Sequence, residues 1–363
     1  MPSIVAVAMS GGVDSSVAAA LLQEAGYTVH GVTMRLWREP SQEDASSPSD
    51  GAASAQAVCE HLGIPHHVVD LRQAFYEEVV QYFLREYARG RTPNPCLRCN
   101  RLIKFGALFE WTRTWGAQYL ATGHYARILD EGGCYALLCG RDVNKDQSYF
   151  LYTLKQEDLA HLLFPVGEWT KERVRAYARE RHLPVAERPE SQDICFLPGG
   201  DYRRFIAQHA PEAVRPGPIY DVAGRLLGEH RGLPFYTVGQ REGLGISASK
   251  PLYVLALDVA RNALIVGYAE ELGQSALLAE EMTYVCGEAP PQGARVEAKI
   301  RYKAQRIPAR VYDEGGGCAR IYFDRPLRDI TPGQAVVLYE GERVLGGGVI
   351  ARPLSAEGEP ITS

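Results

Sequence analysis

The sequence predicts an α/β fold: a doubly wound parallel-sheet domain, followed by a small α+β domain and a C-terminal β-barrel. Three observations carry that reading. Strand-like and helix-like segments alternate over the first two hundred residues, the pattern of a parallel sheet with crossover helices. Near residue 200 the chain turns to Gly, Pro and short β runs. Beyond residue 273 such runs recur at the spacing of a small barrel or sandwich. At roughly 150 residues per domain, a chain of 363 residues accommodates this division, with domains expected at 1–200, 201–272 and 273–363.

Each element has its own warrant. Ile4 to Met9 is a short apolar run ending in turn residues, as in a buried parallel strand. Val13 to Ala25 is rich in Ala and Leu and is stopped by Gly26, the signature of a helix end. Thr28 to Met34, His66 to Asp70 and Tyr119 to Thr122 are further strands, and Ala53 to Leu62 is a helix closed by Gly63 and Pro65. The polar, acidic stretch from Glu39 to Ala52 reads as a mobile loop. Later β runs are Phe235–Val238, Tyr253–Asp258 and Ala263–Val266, then Arg295–Tyr302, Ala309–Tyr312, Ala319–Phe323, Ala335–Tyr339 and Val344–Ile350.

Composition narrows the function. The chain is 46% hydrophobic and 23% charged, enough to bury cores and not disordered by composition. Lys plus Arg is 39 and Asp plus Glu is 44, a net charge of −5. That excludes a generally basic nucleic-acid binder but leaves room for a local basic face. The opening apolar run is too short for a secretory signal, and no stretch approaches the ~20 apolar residues of a membrane span. A cytoplasmic protein is expected. Its eight Cys are too sparse for a disulfide scaffold and read as reduced thiols.

Ser10-Gly11-Gly12-Val13-Asp14-Ser15-Ser16 lies between the first strand and the first helix. Two glycines let the backbone approach an anion, the helix offers free N–H groups, and the serines add hydroxyl donors. There is no Gly-Lys-Ser/Thr ending, so this is not the loop that transfers a γ-phosphate. It suits the pyrophosphate left when ATP gives AMP to an acceptor, with Asp14 a candidate Mg²⁺ ligand.

The segment NPCLRCN (94–100) carries Cys96 and Cys99. Residues 85–113 hold seven Lys or Arg against two Glu. Arg91, Arg98, Arg101 and Lys104 are expected to favour thiolate and to attract a polyanion. Cys195 lies in a turn-prone setting; Cys59, Cys134, Cys139, Cys286 and Cys318 read as buried small hydrophobes. Residues 299–310 hold Lys299, Arg301, Lys303, Arg306 and Arg310 with no acid. Alternation along a strand would put Lys299, Arg301 and Lys303 on one face.

The phosphate loop, NPCLRCN, ATGHYA (121–126), KDQSYFL (145–151), SQDICF (191–196) and TVGQR (237–241) occur in this order. Together they resemble the tRNA-specific 2-thiouridylases, a branch of the PP-loop ATP pyrophosphatases with a HUP-like nucleotide domain, across nearly the whole chain. The resemblance implies sulfur transfer to C2 of the wobble uridine, position 34, in tRNAs for Lys, Glu and Gln. It implies ATP binding by Ala8, Met9, Ser10, Gly11, Gly12, Val13, Asp14, Ser15 and Met34, with Gly123 nearby. It implies a target-base contact by Asn94, Pro95 and Cys96, and tRNA contacts by His124, Lys145, Asp146, Gln147, Arg301, Tyr302 and Gln334. Cys99 matches the nucleophile and Cys195 the persulfide carrier.

Many members of that family have Asp where this chain has Cys96, and a general acid/base role attaches to it. Three thiols admit an alternative, a [4Fe–4S] cluster held by Cys96, Cys99 and Cys195 with one iron left for sulfide. A small-molecule synthetase using the same loop is the rival of a different class. In the main reading ATP and Mg²⁺ adenylate the C2 oxygen. The persulfide sulfur attacks C2 directly, or Cys99 releases sulfide by forming a disulfide with Cys195. A cysteine desulfurase or a persulfide relay protein would supply the sulfur, and a monomer is expected. Cys99 and Cys195 are far apart in sequence, so one of their segments is expected to move.

Overall fold

The computed structural model describes residues 2–39, 51–189 and 194–355. Most of the loop expected at Glu39–Ala52 lies outside the described residues. Glu39 itself is buried and accepts from His209 Nε2 at 3.2 Å.

The first sheet has the order β3-β2-β1-β4-β7, all parallel: β1 Ile4–Ala8, β2 Thr28–Arg35, β3 His66–Asp70, β4 Tyr119–Ala121 and β7 Leu162–Leu163. Helix α1 (Val13–Glu24) follows β1, and α2 (Gly51–Leu62) lies between β2 and β3. The strand order reverses direction between β1 and β4, the switch point beyond whose carboxyl ends ligands bind in such sheets. A helical run over 72–88 (α3) and another over 95–113 (α4) carry the chain from β3 to β4. The central strand β1 is apolar throughout because both of its faces are covered: Val5, Ala6 and Val7 are fully buried.

The central region packs helix α6 (Tyr202–His209) and a mixed sheet of β10-β11-β8-β9, formed by Tyr253–Asp258, Ala263–Gly267, Gly217–Asp221 and Leu226–His230. The expected strand at Phe235–Val238 is instead a 3₁₀ turn over Leu233–Phe235 followed by irregular chain. Pro234 cannot donate to a ladder, which works against a strand there.

Six antiparallel strands close the C-terminal barrel: β12 Gln274–Tyr284, β13 Ala294–Lys299, β14 Ile307–Gly315, β15 Cys318–Leu327, β16 Ala335–Glu340 and β17 Arg343–Leu354. The circuit β12-β15-β14-β13-β16-β17 returns to β12, leaving no free edge within it. Strand β13 ends at Lys299, so Arg301 and Lys303 lie in the turn that follows and do not share a strand face with it. A hairpin from the first domain, β5 (Ala126–Asp130) and β6 (Tyr135–Cys139), extends this sheet through β17. Its Leu137 and the neighbouring Tyr149 share one core with Val337 and Tyr339 of the barrel. No helix among the described residues is long and apolar enough to cross a membrane.

Candidate active site

The phosphate loop leaves β1 at the switch point. Gly11 takes φ +74° and packs so closely on the start of α2 that a Cβ would meet Gly51 O at 2.4 Å. Both facts demand glycine. Ser16 Oγ donates to Gly12 O at 2.8 Å and Ser15 Oγ to the same oxygen at 3.2 Å, which fixes the turn from within. Ser10 stays exposed at the mouth, while Met9 and Val13 are buried and serve the loop through their backbone. Ala8 ends β1, and Met34, half-buried near the carboxyl end of β2, lies on the same edge of the sheet. Gly123 follows β4 and packs on the loop itself: a Cβ there would meet Ser15 N at 2.6 Å and Asp14 C at 2.7 Å.

Asp14 is not a bare carboxylate awaiting a metal. Lys171 Nζ donates to its two oxygens at 2.7 and 2.8 Å, and Tyr125 Oη donates to Oδ1 at 2.8 Å. Arg188 donates to Gly11 O at 3.0 Å. Lys171 begins helix α5 (Lys171–Glu180), far from the loop in sequence. No local pattern marks either cation as part of this site; of these groups Tyr125 alone lies within a motif, ATGHYA.

The thiols come from two segments. Asn94 caps α4, its side chain accepting from Cys96 N at 3.1 Å, and Pro95 occupies the first helical position. This sets Cys96 in the first turn and Cys99 one turn later, on neighbouring positions of one face. At Cys99 the helix widens into a π-helical stretch, Cys99–Leu108, a feature frequent at functional sites. Cys195 lies in the turn 194–197, where Phe196 and Leu197 pack in one cluster with Cys99, Phe75 and Phe83. The structure thus already brings together the segments of Cys99 and Cys195.

Cys96 and Cys195 open to solvent and Cys99 is buried, yet all three sit in a recess crowded by protein. Desolvation pushes the Cys99 thiol up to about 11 and the Cys195 thiol to about 12, and raises that of Cys96. Cys99 and Cys96 also act on Cys195 as like charges. The four neighbouring cations therefore do not produce thiolates. Arg91 is paired with Glu86 and Glu280, Arg98 with Glu78, and Arg101 lies 4.0 Å from Glu281. Lys104 alone favours ionisation of all three thiols, and desolvation outweighs it. Among the described residues, no group of three or more His, Cys, Asp or Glu stands placed to share a single metal ion.

His124 joins the two halves of the site. It follows Gly123, is only 9% exposed, packs on Phe105 and Phe164, and lies 2.6 Å from Thr122 Oγ1 through Nδ1. Burial first, then the nearby Lys104, holds its pKa well below the usual range, so it is neutral. Asp146 is buried, with its carboxylate spent on Gly140 N, Ser148 N and Ser148 Oγ. Gln147 accepts from Tyr125 N at 3.0 Å, and Lys145 is half-buried beside it. These side chains shape the site wall.

The three barrel positions are also engaged. Gln334 donates to Thr92 O at 2.7 Å, just before Asn94. Arg301 donates to Val238 O at 3.3 Å and to Thr331 Oγ1, and faces Asp329 at 3.5 Å. Tyr302 packs on Phe150, with ring centroids 4.5 Å apart. All three regions of the chain therefore meet beside the Cys96–Cys99 turn. Of the other cysteines, Cys59 and Cys139 are buried as expected, but Cys134 and Cys286 are exposed and Cys318 is intermediate.

Comparison with known proteins agrees with this architecture. Residues 3–199 match the tRNA methyl transferase HUP domain, 203–268 the tRNA methyl transferase PRC-barrel domain, and 274–350 the aminomethyltransferase beta-barrel domain. A tRNA-specific 2-thiouridylase MnmA of Roseiflexus sp. is 52% identical, covering 95% of this chain and 98% of its own length. The MnmA of Moorella thermoacetica is 53% identical at the same coverage, and that of Chloroflexus aggregans 52% identical over 96% of this chain and 98% of its own. With similarity of this order along nearly the whole chain, the chain belongs to the tRNA-specific 2-thiouridylase family.

Proposed function

We infer that this chain uses ATP to replace the C2 oxygen of the tRNA wobble uridine, position 34, with sulfur. The observation that carries the reading is convergence: Cys99 and Cys195, from distant segments, share one recess that residues 123–125 join to the phosphate loop.

The chemistry follows from the residues. The uridine leaves the anticodon stack to expose C2. Its C2 oxygen attacks the α-phosphorus of ATP as N3 gives its proton to water. The bond to the bridging oxygen breaks, and pyrophosphate leaves with its electron pair. The loop N–H groups and the α1 N-terminus receive that anion. The terminal sulfur of a Cys195 persulfide then attacks C2 and AMP departs. The Cys99 thiol then attacks Cys195 Sγ, giving up its proton to water as it does so. The sulfur–sulfur bond breaks, 2-thiouridine is released and a Cys99–Cys195 disulfide remains, which a thiol reductant returns to two thiols. Recharging draws on a cysteine desulfurase or a persulfide relay protein. The raised Cys195 value keeps the uncharged carrier as a thiol near neutral pH.

Mg²⁺ would enter with the nucleotide phosphates beside Asp14, where it would neutralise phosphate charge. Asn94, Pro95 and Cys96 border the recess that would take the base. Thiol at Cys96, raised by burial, is poorly matched to general-base work near neutral pH.

The test is mass spectrometry of tRNA incubated with ATP, Mg²⁺ and a persulfide donor. Wild type yields 2-thiouridine. Cys99→Ser and Cys195→Ser yield none while still binding ATP. Thiolation surviving both substitutions overturns the reading.

A further inference from the structure

The phosphate loop contains no Lys or Arg between Ser10 and Ser16, although its product is a highly charged anion. We propose that Lys171 supplies that missing charge, its ammonium binding the departing pyrophosphate. This deepens the reading above and rests on it.

Four observations carry the assignment. Lys171 Nζ already reaches the loop, binding both Asp14 oxygens in the first turn of α1, where a bound anion also meets the helix N-terminus. The side chain is only 11% exposed, so its charge acts through little water. The residue is held from behind, its backbone N–H donating to Asp142 Oδ2 at 2.9 Å with Thr170 capping the helix. Finally, a largely buried ion pair is a poor source of stability, since desolvation offsets much of the attraction. Such a pair next to an anion site is better explained by the charge it can hand over.

In this arrangement Asp14 holds the ammonium in place through Tyr125 and the loop. When the bond between the α-phosphorus and the bridging oxygen breaks, the leaving oxygen gains negative charge, and the ammonium turns its N–H donors to it. Lys171 donates hydrogen bonds and transfers no proton. The neighbouring carboxylate opposes the same anion, so the two partners have opposite effects on it.

That opposition defines the test. Pyrophosphate binding to the full chain is measured by calorimetry with EDTA present, so that a metal on Asp14 plays no part. Lys171→Gln weakens binding by about tenfold to a hundredfold, the range of a charge-assisted contact. Asp14→Asn, which keeps the shape and an acceptor for Tyr125 and Lys171, tightens it. A pair that is only structural moves both variants the same way or neither, and either outcome overturns the proposal. If Lys171→Gln does not fold, Asp14→Asn alone decides, because unchanged or weaker binding there is equally fatal. Wild-type exchange of labelled pyrophosphate into ATP with tRNA is run in parallel. Its absence refutes adenylation, whereas the calorimetry still reports on Lys171.

Discussion

The phosphate loop and the thiol recess face the same problem, holding charge in a crowded site, and solve it in opposite ways. The loop has no cation of its own and imports one, Lys171, from a helix far along the chain. The recess begins with four nearby cations and gives away three, pairing Arg91, Arg98 and Arg101 with glutamates. Glu280 and Glu281 of the barrel take part, so the basic stretch serves largely as cement between domains. Charge that is close in sequence is a weak guide to the field at a reactive atom, because long side chains select their partners only after folding.

The largest expected effect tests the fixed side of this comparison. Gly123→Ala drives a Cβ into Ser15 N and Asp14. Backbone has little room to yield, so overpacking of roughly 1–3 kcal/mol falls on the loop. ATP affinity drops by tenfold or more in calorimetry while tRNA binding persists. Unchanged ATP affinity would mean that the loop gives way freely.

A middle-sized effect tests the recess. Thiolate forms late here, so alkylation of Cys195, followed by mass spectrometry, keeps accelerating as pH passes the ordinary thiol value of 9.0 toward about 12. Lys104→Met shifts that profile further alkaline by removing the one cation that favours ionisation. The same raised values make the fold less stable at high pH. The contribution is present below the unfolded value of 9.0 and is lost as pH rises from there toward about 11 at Cys99, because the unfolded thiol ionises first. A plateau in alkylation at neutral pH would show that the cations win after all.

The smallest effect separates cement from contact. Arg301→Ala removes hydrogen bonds between the barrel turn, Thr331 and the Val238 carbonyl. It costs about 1 kcal/mol, seen as a melting temperature lower by a few degrees, with tRNA affinity changed little. Loss of tRNA affinity at an unchanged melting temperature would instead make its guanidinium an RNA contact.

Much of the fold was legible because its signals are local. Alternation of apolar strands with helices, and Gly and Pro at their ends, located β1, β2, β3 and β4 within a residue or two. The loop motif fixed its own conformation: Gly11 is needed for φ, and Ser15 and Ser16 bind Gly12 O three and four residues away. The long β12 and the β5–β6 hairpin were missed, because their pairing with the barrel is non-local.

The sequence by itself determined the phosphate loop and the cap that turns Asn94-Pro95-Cys96 into a helix start. These rest on interactions spanning a few residues. Only the tertiary structure decided which charges act on which atoms. It sent Lys171 to Asp14, left Lys104 with the thiols, engaged Arg301 and Gln334 at domain joints and buried His124. Such choices depend on desolvation and on partners brought from distant segments, and neither quantity exists until the chain has folded.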